Sequence, residues 1–311
     1  MKKIPEVKTY SIKKRVSKVH AGDFAALPAR GRSFNAFFNA LPRILKAADM
    51  HAVVNATVEA HRRKKAVVFM AGAHVIKCGL SPVIIELMRR KVISCVCLNG
   101  AGVIHDFELA YQGKTSEDVA ASLLDGSFGM GRQTADFINK AVTSGVANGL
   151  GFGSAVAQKM LESRLRGNRL SVLANAAELG IPVFVFVALG TDIIHQHPSC
   201  DGAGVGLGSL RDFRSFSGFL PRLHKGGVVL NFGSAVIMPE VFLKALNMAR
   251  NVGNQVKDFT TVNFDMIQQY RPQQNVVSRP VLGGGKGYNI IGHHEIMLPL
   301  WPQEVIERIP R

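Results

Sequence analysis

The sequence has few cysteines, no long uncharged apolar run and no apolar segment near its first residue. Four cysteines in 311 residues are too few and too scattered for a disulfide scaffold, which fits a reducing compartment. No apolar run reaches the roughly 18 residues that a membrane-spanning helix needs. The first residues lack the apolar core of a signal peptide. We therefore expect a cytoplasmic protein that makes no membrane contact.

The composition is that of a globular protein. Hydrophobic residues make up 47% of the chain and charged residues 19%, which argues against a disordered protein. No stretch rich in proline or serine divides the chain. We predict a basic N-terminal arm over residues 1–32 and a single domain over residues 33–311.

The arm carries much of the excess positive charge. The chain has a formal net charge of +16, and its first 33 residues hold nine Lys and Arg against Glu6 and Asp23, a local balance of +7. Such an arm can bind nucleic acid through counterion release, or it can wrap a neighbouring subunit or stay mobile. Tyr10 is its only aromatic residue before Phe24, so it lacks a base-stacking platform, and we expect no nucleic-acid partner.

Short apolar runs alternate with segments of helical periodicity. We predict strands over residues 66–70, 92–98, 182–189, 228–231 and 258–262. Runs that are apolar on both faces are typical of parallel strands covered by helices on both sides. The sequence therefore predicts a doubly wound α/β domain with a mostly parallel, Rossmann-like sheet.

Four of the predicted strands are followed by small or polar residues. Open α/β sheets bind their ligands at the carboxyl ends of the strands, where these residues lie. Glycines at such turns let the backbone approach a phosphate. No G-x-G-x-x-G motif follows the first strand, so spacing alone supports a nucleotide only weakly. The turns comprise Gly72, Ala73 and His74; Asn99, Gly100, Ala101 and Gly102; Thr191 and Asp192; and Gly233 and Ser234.

The order of several segments resembles the deoxyhypusine synthase family over roughly residues 33–305. The segments are Val68–Leu80, Asn99–Asp106 with its His-Asp pair, Ile181–Phe184 running on to Thr191-Asp192, Ser278–Pro280, Gly284–Lys286 and Met297–Leu300. The resemblance implies a Rossmann-like fold that binds NAD at the strand ends and assembles as a homotetramer. It implies an NAD-dependent transferase that moves an aminobutyl group from a polyamine through a lysine imine. Lys286 matches the imine-forming lysine and His105 is a second catalytic candidate, while Asp106 and His293 join the turn residues as cofactor contacts.

The sequence also departs from the family pattern. Gly284 stands where a tryptophan is common, and residues 279–286 contain no carboxylate to hold a polyamine. A cationic substrate needs carboxylates or aromatic faces. The alternatives are therefore a homospermidine synthase-like enzyme with a small amine acceptor, or a non-catalytic NAD-binding scaffold. The remaining substrate-binding candidates are His195, His197, Asp201, Tyr288 and Glu295.

The histidines leave three interpretations open. His195 and His197 share a loop with Cys200, and His293 with His294 precedes Glu295. These residue types suit zinc or iron, but an H-x-H near one cysteine is less specific than paired metal-binding motifs. The same side chains also serve as ligand contacts or as structural hydrogen-bond partners. We expect no bound metal.

Overall fold

In the computed structural model, which describes residues 6–310, six parallel strands form one sheet. The strands are β1 (Val67–Ala71), β2 (Cys95–Asn99), β3 (Val183–Phe186), β4 (Val228–Phe232), β5 (Phe259–Asp265) and β6 (Gly285–Ile291). Their order across the sheet is β3-β2-β1-β4-β5-β6, with every neighbouring pair parallel. This is the order of the dinucleotide-binding doubly wound fold, so the predicted fold class is confirmed.

Helices cover both faces of the sheet. They are α1 (Phe34–Asn39), α2 (Leu45–Arg62), α3 (His74–Lys77), α4 (Ser81–Arg89), α5 (Gly100–Gln112), α6 (Val119–Leu124), α7 (Arg132–Ala147), α8 (Phe152–Ser163), α9 (Val172–Glu178), α10 (Gly202–Phe219), α11 (Ile237–Asn251), α12 (Tyr270–Pro272) and α13 (His294–Arg308). A π-helix, Gln273–Ser278, follows α12. None of the helices within residues 6–310 is long and apolar enough to cross a membrane.

Two hydrophobic cores lie on opposite faces of the sheet because successive side chains of a strand point in opposite directions. Val67, Phe69 and Ala71 of β1 belong to the larger core, together with Trp301 of α13. Val68 and Met70 belong to the smaller core, and so do Cys95 and Cys97 of β2. Both cysteines are fully buried, as their alternation in an apolar run predicts.

The free edge of β3 is closed by side chains of α10. The Val185 N–H donates to the Asp212 carboxylate at 2.8 Å, and the Val187 N–H donates to the Ser209 hydroxyl at 3.2 Å. Asp212 also accepts the Gly153 N–H of α8 at 2.7 Å. These side chains satisfy backbone groups that a neighbouring strand would otherwise pair, so the edge offers few groups for pairing with another chain.

Two glycine-rich segments have structural roles. Gly151 and Gly153 begin α8, and a Cβ on either would collide with Asp212 or with the Val183 carbonyl, so both serve packing rather than a ligand. The segment around Lys286 forms β6 in register with β5. Gly284 and Gly285, with φ of 104° and 119°, turn the chain into that strand.

The described part of the arm lies mostly exposed. The Ala26 N–H donates to the Ala40 carbonyl and the Arg43 N–H to the Asp23 carbonyl, each at 2.9 Å, which ties the end of the arm to the domain. Val16 and Leu27 are 93% and 95% exposed. The domain boundary at residue 32 stays a prediction.

Candidate functional site

The turns after β1 and β4 meet at the centre of the sheet's carboxyl edge. The chain moves outward from β1 to β3 on one side and from β4 to β6 on the other, so the strand order reverses between β1 and β4. Doubly wound sheets bind their ligands at this point, which we call the crevice. A Cβ on Gly72 would lie 2.6 Å from the carbonyl oxygen of Gly233. Only glycine at position 72 permits this approach, which leaves bare backbone at the point where the strand order reverses.

His294 is buried against the turn after β4. Its side chain is 1% exposed, and a Cβ on Gly233 would strike its Nε2 atom. The exposed His74 ring lies 6.0 Å from the His294 ring between centroids. Burial is the main cause that lowers the pKa of His294, while the nearby Asp265 raises it. The ring is therefore neutral near pH 7, and its Nδ1 atom is buried without a partner among residues 6–310.

A ladder of three asparagines supports the turn after β4. Asn231 donates to the Asn263 side chain at 2.8 Å and to the Ser234 carbonyl at 3.0 Å. Asn263 in turn donates to the Asn289 side chain at 2.8 Å. The three residues are in register on β4, β5 and β6 and share one face of the sheet. A buried chain of this kind fixes the Gly233–Ser234 turn relative to three strands.

Asp192 places a carboxylate at the start of α5. Asn99 caps this helix by accepting the Gly102 N–H at 3.0 Å, and a Cβ on Gly100 would overlap the Asp192 carboxylate. Burial is the main cause that raises the pKa of Asp192, while His195 and the Ala101 N–H lower it. An anion at a helix N-terminus is stabilised by the helix dipole. The Thr191–Asp192 loop thus lies beside the start of α5, and its predicted contact with a cofactor stays a prediction.

His195 accepts the backbone N–H groups of Gly190 and Asp192 on its Nδ1 atom, at 3.1 and 3.2 Å. Its Nε2 atom therefore carries the proton of the neutral ring and faces the Asp192 Oδ2 atom at 3.9 Å, too far for a hydrogen bond. Neither of these buried atoms has a hydrogen-bond partner in the described chain. His195 thus organises the Asp192 loop, whereas the sequence predicts a substrate contact.

A cavity of about 650 Å³ adjoins the β2 end of the crevice. The walls come from α5, the loop after it, the start of α7 and the Thr191–Ile193 loop. They include carboxylates and an aromatic ring as well as the predicted catalytic His105. The relevant lining residues are His105, Glu108, Tyr111, Glu117, Thr191 and Asp192. The sequence analysis missed Glu108, Tyr111 and Glu117, and only the placement of His105 and Glu108 one turn apart on a helix would have suggested them.

Burial is the main cause that lowers the pKa of His105, and Lys77 lowers it further while Glu108 raises it. The imidazole is therefore uncharged near pH 7 and able to accept a proton. The Nδ1 atom of His105 lies 2.6 Å from the Thr115 hydroxyl oxygen. His105 thus lines the cavity beside the crevice and is linked to the Glu108 carboxylate through the Thr115 hydroxyl.

Asp106 and Lys286 do not reach the crevice, in contrast to their predicted roles. The Asp106 carboxylate is fully buried and accepts the Ser171 hydroxyl at 2.6 Å and the Val172 and Leu173 N–H groups at 2.7 and 3.1 Å. The carboxylate caps α9, and because it is fully buried, no oxygen is left to contact a cofactor. Lys286 is exposed near the amino end of β6. Five residues of strand, about 16 Å, separate it from the carboxyl end.

The remaining predicted residues lie at different places. His293 and Glu295 stand at the start of α13, beside the crevice. Tyr288 lies in the middle of β6, and Asp201 caps α10 by accepting the Ala203 N–H at 3.0 Å. His197 accepts the Ser199 N–H at 3.2 Å, and its ring lies 3.8 Å from Asp136. Within residues 6–310, no group of three or more His, Cys, Asp or Glu side chains is arranged to hold a metal ion.

No protein-family model matches the chain, and no curated protein matches it in sequence. Solved structures are similar in fold. A LOR/SDH-type protein from Methanococcus maripaludis S2 aligns over 90% of this chain and 71% of its own, with 15% identity and a TM-score of 0.51. AgrE, solved in a ternary complex with ornithine and NAD+, aligns over 84% of this chain and 33% of its own, with 15% identity and a TM-score of 0.55.

This chain therefore spans about a third of the length of AgrE. A deoxyhypusine synthase-type chain from Entamoeba histolytica aligns over 90% of this chain and 94% of its own, with 10% identity and a TM-score of 0.49. The structural similarity to the LOR/SDH-type protein and to AgrE shows a shared α/β fold and nothing finer, so the family stays a prediction.

Proposed function

We propose that this chain is an NAD-dependent enzyme that oxidises the amine-bearing carbon of a small amine, with NAD in the crevice and the amine in the His105 cavity. The observation that carries the proposal is the meeting of two features at one sheet edge. The Gly72–Gly233 contact lies at the reversal of the strand order, and a cavity lined by three carboxylates, two lysines and a neutral imidazole adjoins it. AgrE, a protein of similar fold, was solved with NAD+ and the amine ornithine, which supports the same pairing of ligands.

The crevice residues fit a dinucleotide. The glycines at positions 72 and 233 let the turns after β1 and β4 pack directly together, so that a pyrophosphate would lie over these two turns, and the exposed His74 offers a polar side chain beside them. At the β2 end, Asn99 and Asp192 would hold a ribose. The full set of cofactor contacts in the proposal is Gly72, Ala73, His74, Asn99, Gly100, Ala101, Gly102, Thr191, Asp192, Gly233, Ser234, His293 and His294. When bound, NAD+ accepts a hydride from the substrate.

The cavity residues perform the proton chemistry. Glu108 and Glu117 attract an ammonium group, Lys77 and Lys114 partly offset this attraction, and Tyr111 offers an aromatic face. The Nε2 atom of His105 takes one proton from the ammonium, which leaves a neutral amine. The carbon then gives up a hydride, and the nitrogen lone pair forms the C=N bond of an iminium. The substrate thus loses one proton to His105 and one hydride to NAD+, and the charges balance.

A lysine-bound imine is the finer form of this proposal. It makes the chain an aminobutyl-type transferase that resembles deoxyhypusine synthase or homospermidine synthase, with a polyamine as donor. Because Lys286 stands at the amino edge of its own subunit, this route requires a second copy to bring Lys286 into the crevice. Without that contribution, the iminium is hydrolysed or captured by a second amine.

A homo-oligomer belongs to the same proposal. Leu189, Val236 and Ile267 follow β3, β4 and β5 and are 62%, 45% and 60% exposed, so the rim of the crevice is apolar. Exposed apolar surface of this kind marks contact sites. Light scattering on the purified chain should then give a mass larger than one subunit, with a tetramer as the expected state.

The test combines calorimetry with a substrate panel. Titration with NAD+ should give saturable binding, and NADH absorbance should rise with at least one member of a panel of diamines, polyamines and basic amino acids. His105→Gln should keep NAD+ binding and lower the rate at least a hundredfold. His224→Gln is the matched control, because His224 lies beside the amino end of β4 and should change neither quantity.

A non-catalytic NAD-binding scaffold is the second candidate function. The exposed position of Lys286 and the lack of carboxylates in residues 279–286 favour it. NAD+ binding without any NADH formation across the panel would select the scaffold. No NAD+ binding at all would overturn both functions.

A further inference from the structure

Four side chains from three segments form one connected network in the wall of the cavity. His105 and Glu108 lie three residues apart on α5 and therefore share a face of the helix. Gly113, with φ of 72°, ends α5 in a left-handed turn. This turn brings Thr115 back over the same face, and α7 contributes Thr134 from the other side.

The hydrogen-bond chemistry fixes the direction of this network. The Thr115 hydroxyl donates to Glu108 Oε2 at 2.6 Å, and the Thr134 hydroxyl donates to Glu108 Oε1 at 3.0 Å. A hydroxyl has a single proton, so Thr115 can only accept from its other neighbour, the Nδ1 atom of His105 at 2.6 Å. The Nδ1 atom must then carry the proton of the neutral ring.

The other ring nitrogen is left as an acceptor. No residue in the described range 6–310 hydrogen-bonds to His105 Nε2, and this atom is not among the buried polar atoms that lack a partner. It is therefore accessible from the cavity that His105 lines.

We infer that Thr115 and Glu108 are positioning residues that hold His105 in the tautomer with a proton on Nδ1, so that Nε2 faces the cavity as its proton acceptor. The inference rests on the proposed function for the identity of the proton donor, an alkylammonium. The tautomer itself depends only on the contacts of Thr115.

The surroundings of the ring agree with this role. Glu108 and Lys77 are the charged groups that act on His105, with opposite effects on its pKa, and burial outweighs both and lowers the pKa. When Nε2 takes a proton, the ring gains a positive charge. The Glu108 carboxylate compensates this charge through the Thr115 hydroxyl that lies between them. The Thr115 hydroxyl is therefore required both before His105 takes up a proton and after the ring has become charged.

The test is a long-range ¹H–¹⁵N correlation spectrum of the full chain near pH 7.5, with His105 assigned by comparison with His105→Gln. The wild type should show a protonated Nδ1 and an unprotonated Nε2. Thr115→Val removes the acceptor with little change in volume and should shift the ring toward the tautomer with a proton on Nε2. Thr115→Ser restores a hydroxyl and should restore the wild-type signature. Thr143→Val, at an exposed position on α7, is the control and should leave the ring unchanged.

Turnover provides the second readout. Thr115→Val should lower the kcat of amine oxidation about tenfold or more and leave NAD+ affinity unchanged, and Thr115→Ser should recover most of the rate. A wild-type ring protonated on Nε2 would overturn the inference, even if Thr115→Val failed to fold. An unchanged tautomer in a folded Thr115→Val protein would overturn it as well. The inferred tautomer in a protein that oxidises no amine would refute the proposed function alone.

Discussion

Gly72 lies against Gly233 so closely that a Cβ on Gly72 would stand 2.6 Å from the Gly233 carbonyl oxygen. Real Cβ atoms do not approach a backbone oxygen to this distance, so the turns after β1 and β4 have to separate if any side chain is introduced. These turns lie where the order of the strands across the sheet reverses. The contact therefore links the integrity of the sheet to the shape of the proposed dinucleotide site.

We expect Gly72→Ala to destabilise the protein by about 1–3 kcal/mol, because the methyl group is forced into a filled space. NAD+ affinity should fall at least tenfold, since both turns move. Chemical denaturation followed by circular dichroism measures the first effect, and calorimetry measures the second.

Gly206→Ala is the control for this substitution. Gly206 lies inside α10, and a Cβ there meets nothing within 4 Å. Alanine in a helix interior is favoured over glycine by about 0.5–1 kcal/mol, so this variant should be as stable as the wild type or more so. Wild-type stability and affinity in Gly72→Ala would show that the contact is unimportant.

Asp106 provides a test that separates a structural role from cofactor binding. Asp106→Ala leaves one hydroxyl and two backbone N–H groups of the α9 start without their acceptor. Each such loss costs about 1–3 kcal/mol, but losses that share one acceptor are not additive, so we expect a total loss of roughly 3–5 kcal/mol in the free energy of unfolding.

The folded fraction of Asp106→Ala should bind NAD+ with wild-type affinity, because the carboxylate points away from the crevice. Asp125→Ala, at an exposed position, should change stability by less than about 0.5 kcal/mol. A stable Asp106→Ala protein with weakened NAD+ binding would restore the cofactor role that the resemblance implies.

Five of the six strands could be predicted from the sequence. Strands β1 to β5 are short runs that are buried on both faces, and such runs are visible in a sequence as continuous apolar stretches. Strand β6 carries glycine, lysine and asparagine, because it lies at the edge of the sheet with exposed residues at its start. Nothing in its composition distinguishes it from a loop; its pairing with β5 decides its structure.

The position of the turn residues could also be predicted, because it depends on the strands. Turn residues follow their strands directly, so the position of a strand predicts that Gly72, Asn99 and Gly233 share an edge. The partner of His105 is Thr115, ten residues along the chain and behind a left-handed turn, and no periodicity predicts that contact. Lys286 was expected in the crevice from the resemblance alone, and its place in the strand register puts it at the other edge.

Lys286 permits a direct test of the lysine-imine route. Borohydride added with NAD+ and the most active amine reduces any imine to a stable adduct that peptide mass spectrometry locates. We expect no adduct on Lys286 in a monomeric protein, because the ammonium and the cavity lie at opposite edges of the sheet. Lys286→Met should leave NAD+ affinity unchanged, and Lys257→Met, at another exposed lysine, serves as the control.

An adduct on Lys286 that disappears when the oligomer is diluted to monomers would show that a second subunit completes the site. An adduct that persists in the monomer would contradict the fold as described.

Asp212 makes the stability of the protein depend on pH in a defined direction. Burial raises the pKa of its carboxyl group to about 7, while the Gly153 and Val185 N–H donors lower it. In the unfolded chain the group ionises near pH 4, so between about pH 4 and pH 7 the unfolded state releases a proton that the folded state keeps. The free energy of unfolding must then fall as pH rises through this window, by at most about 4 kcal/mol from this group.

Asp212→Asn isolates this contribution because its amide stays neutral and its oxygen still accepts both N–H groups. We expect the variant to gain stability relative to the wild type as pH rises from 4 to 8, measured by urea denaturation at each pH. Other titrating groups, such as the buried Asp106 and His294, act equally in both proteins and cancel in the difference. A difference that stays constant across the window would mean that the two N–H donors and burial balance in their effect on the pKa of Asp212. A difference that changes in the opposite sense would mean that the donors stabilise the ionised carboxylate more strongly than burial disfavours it.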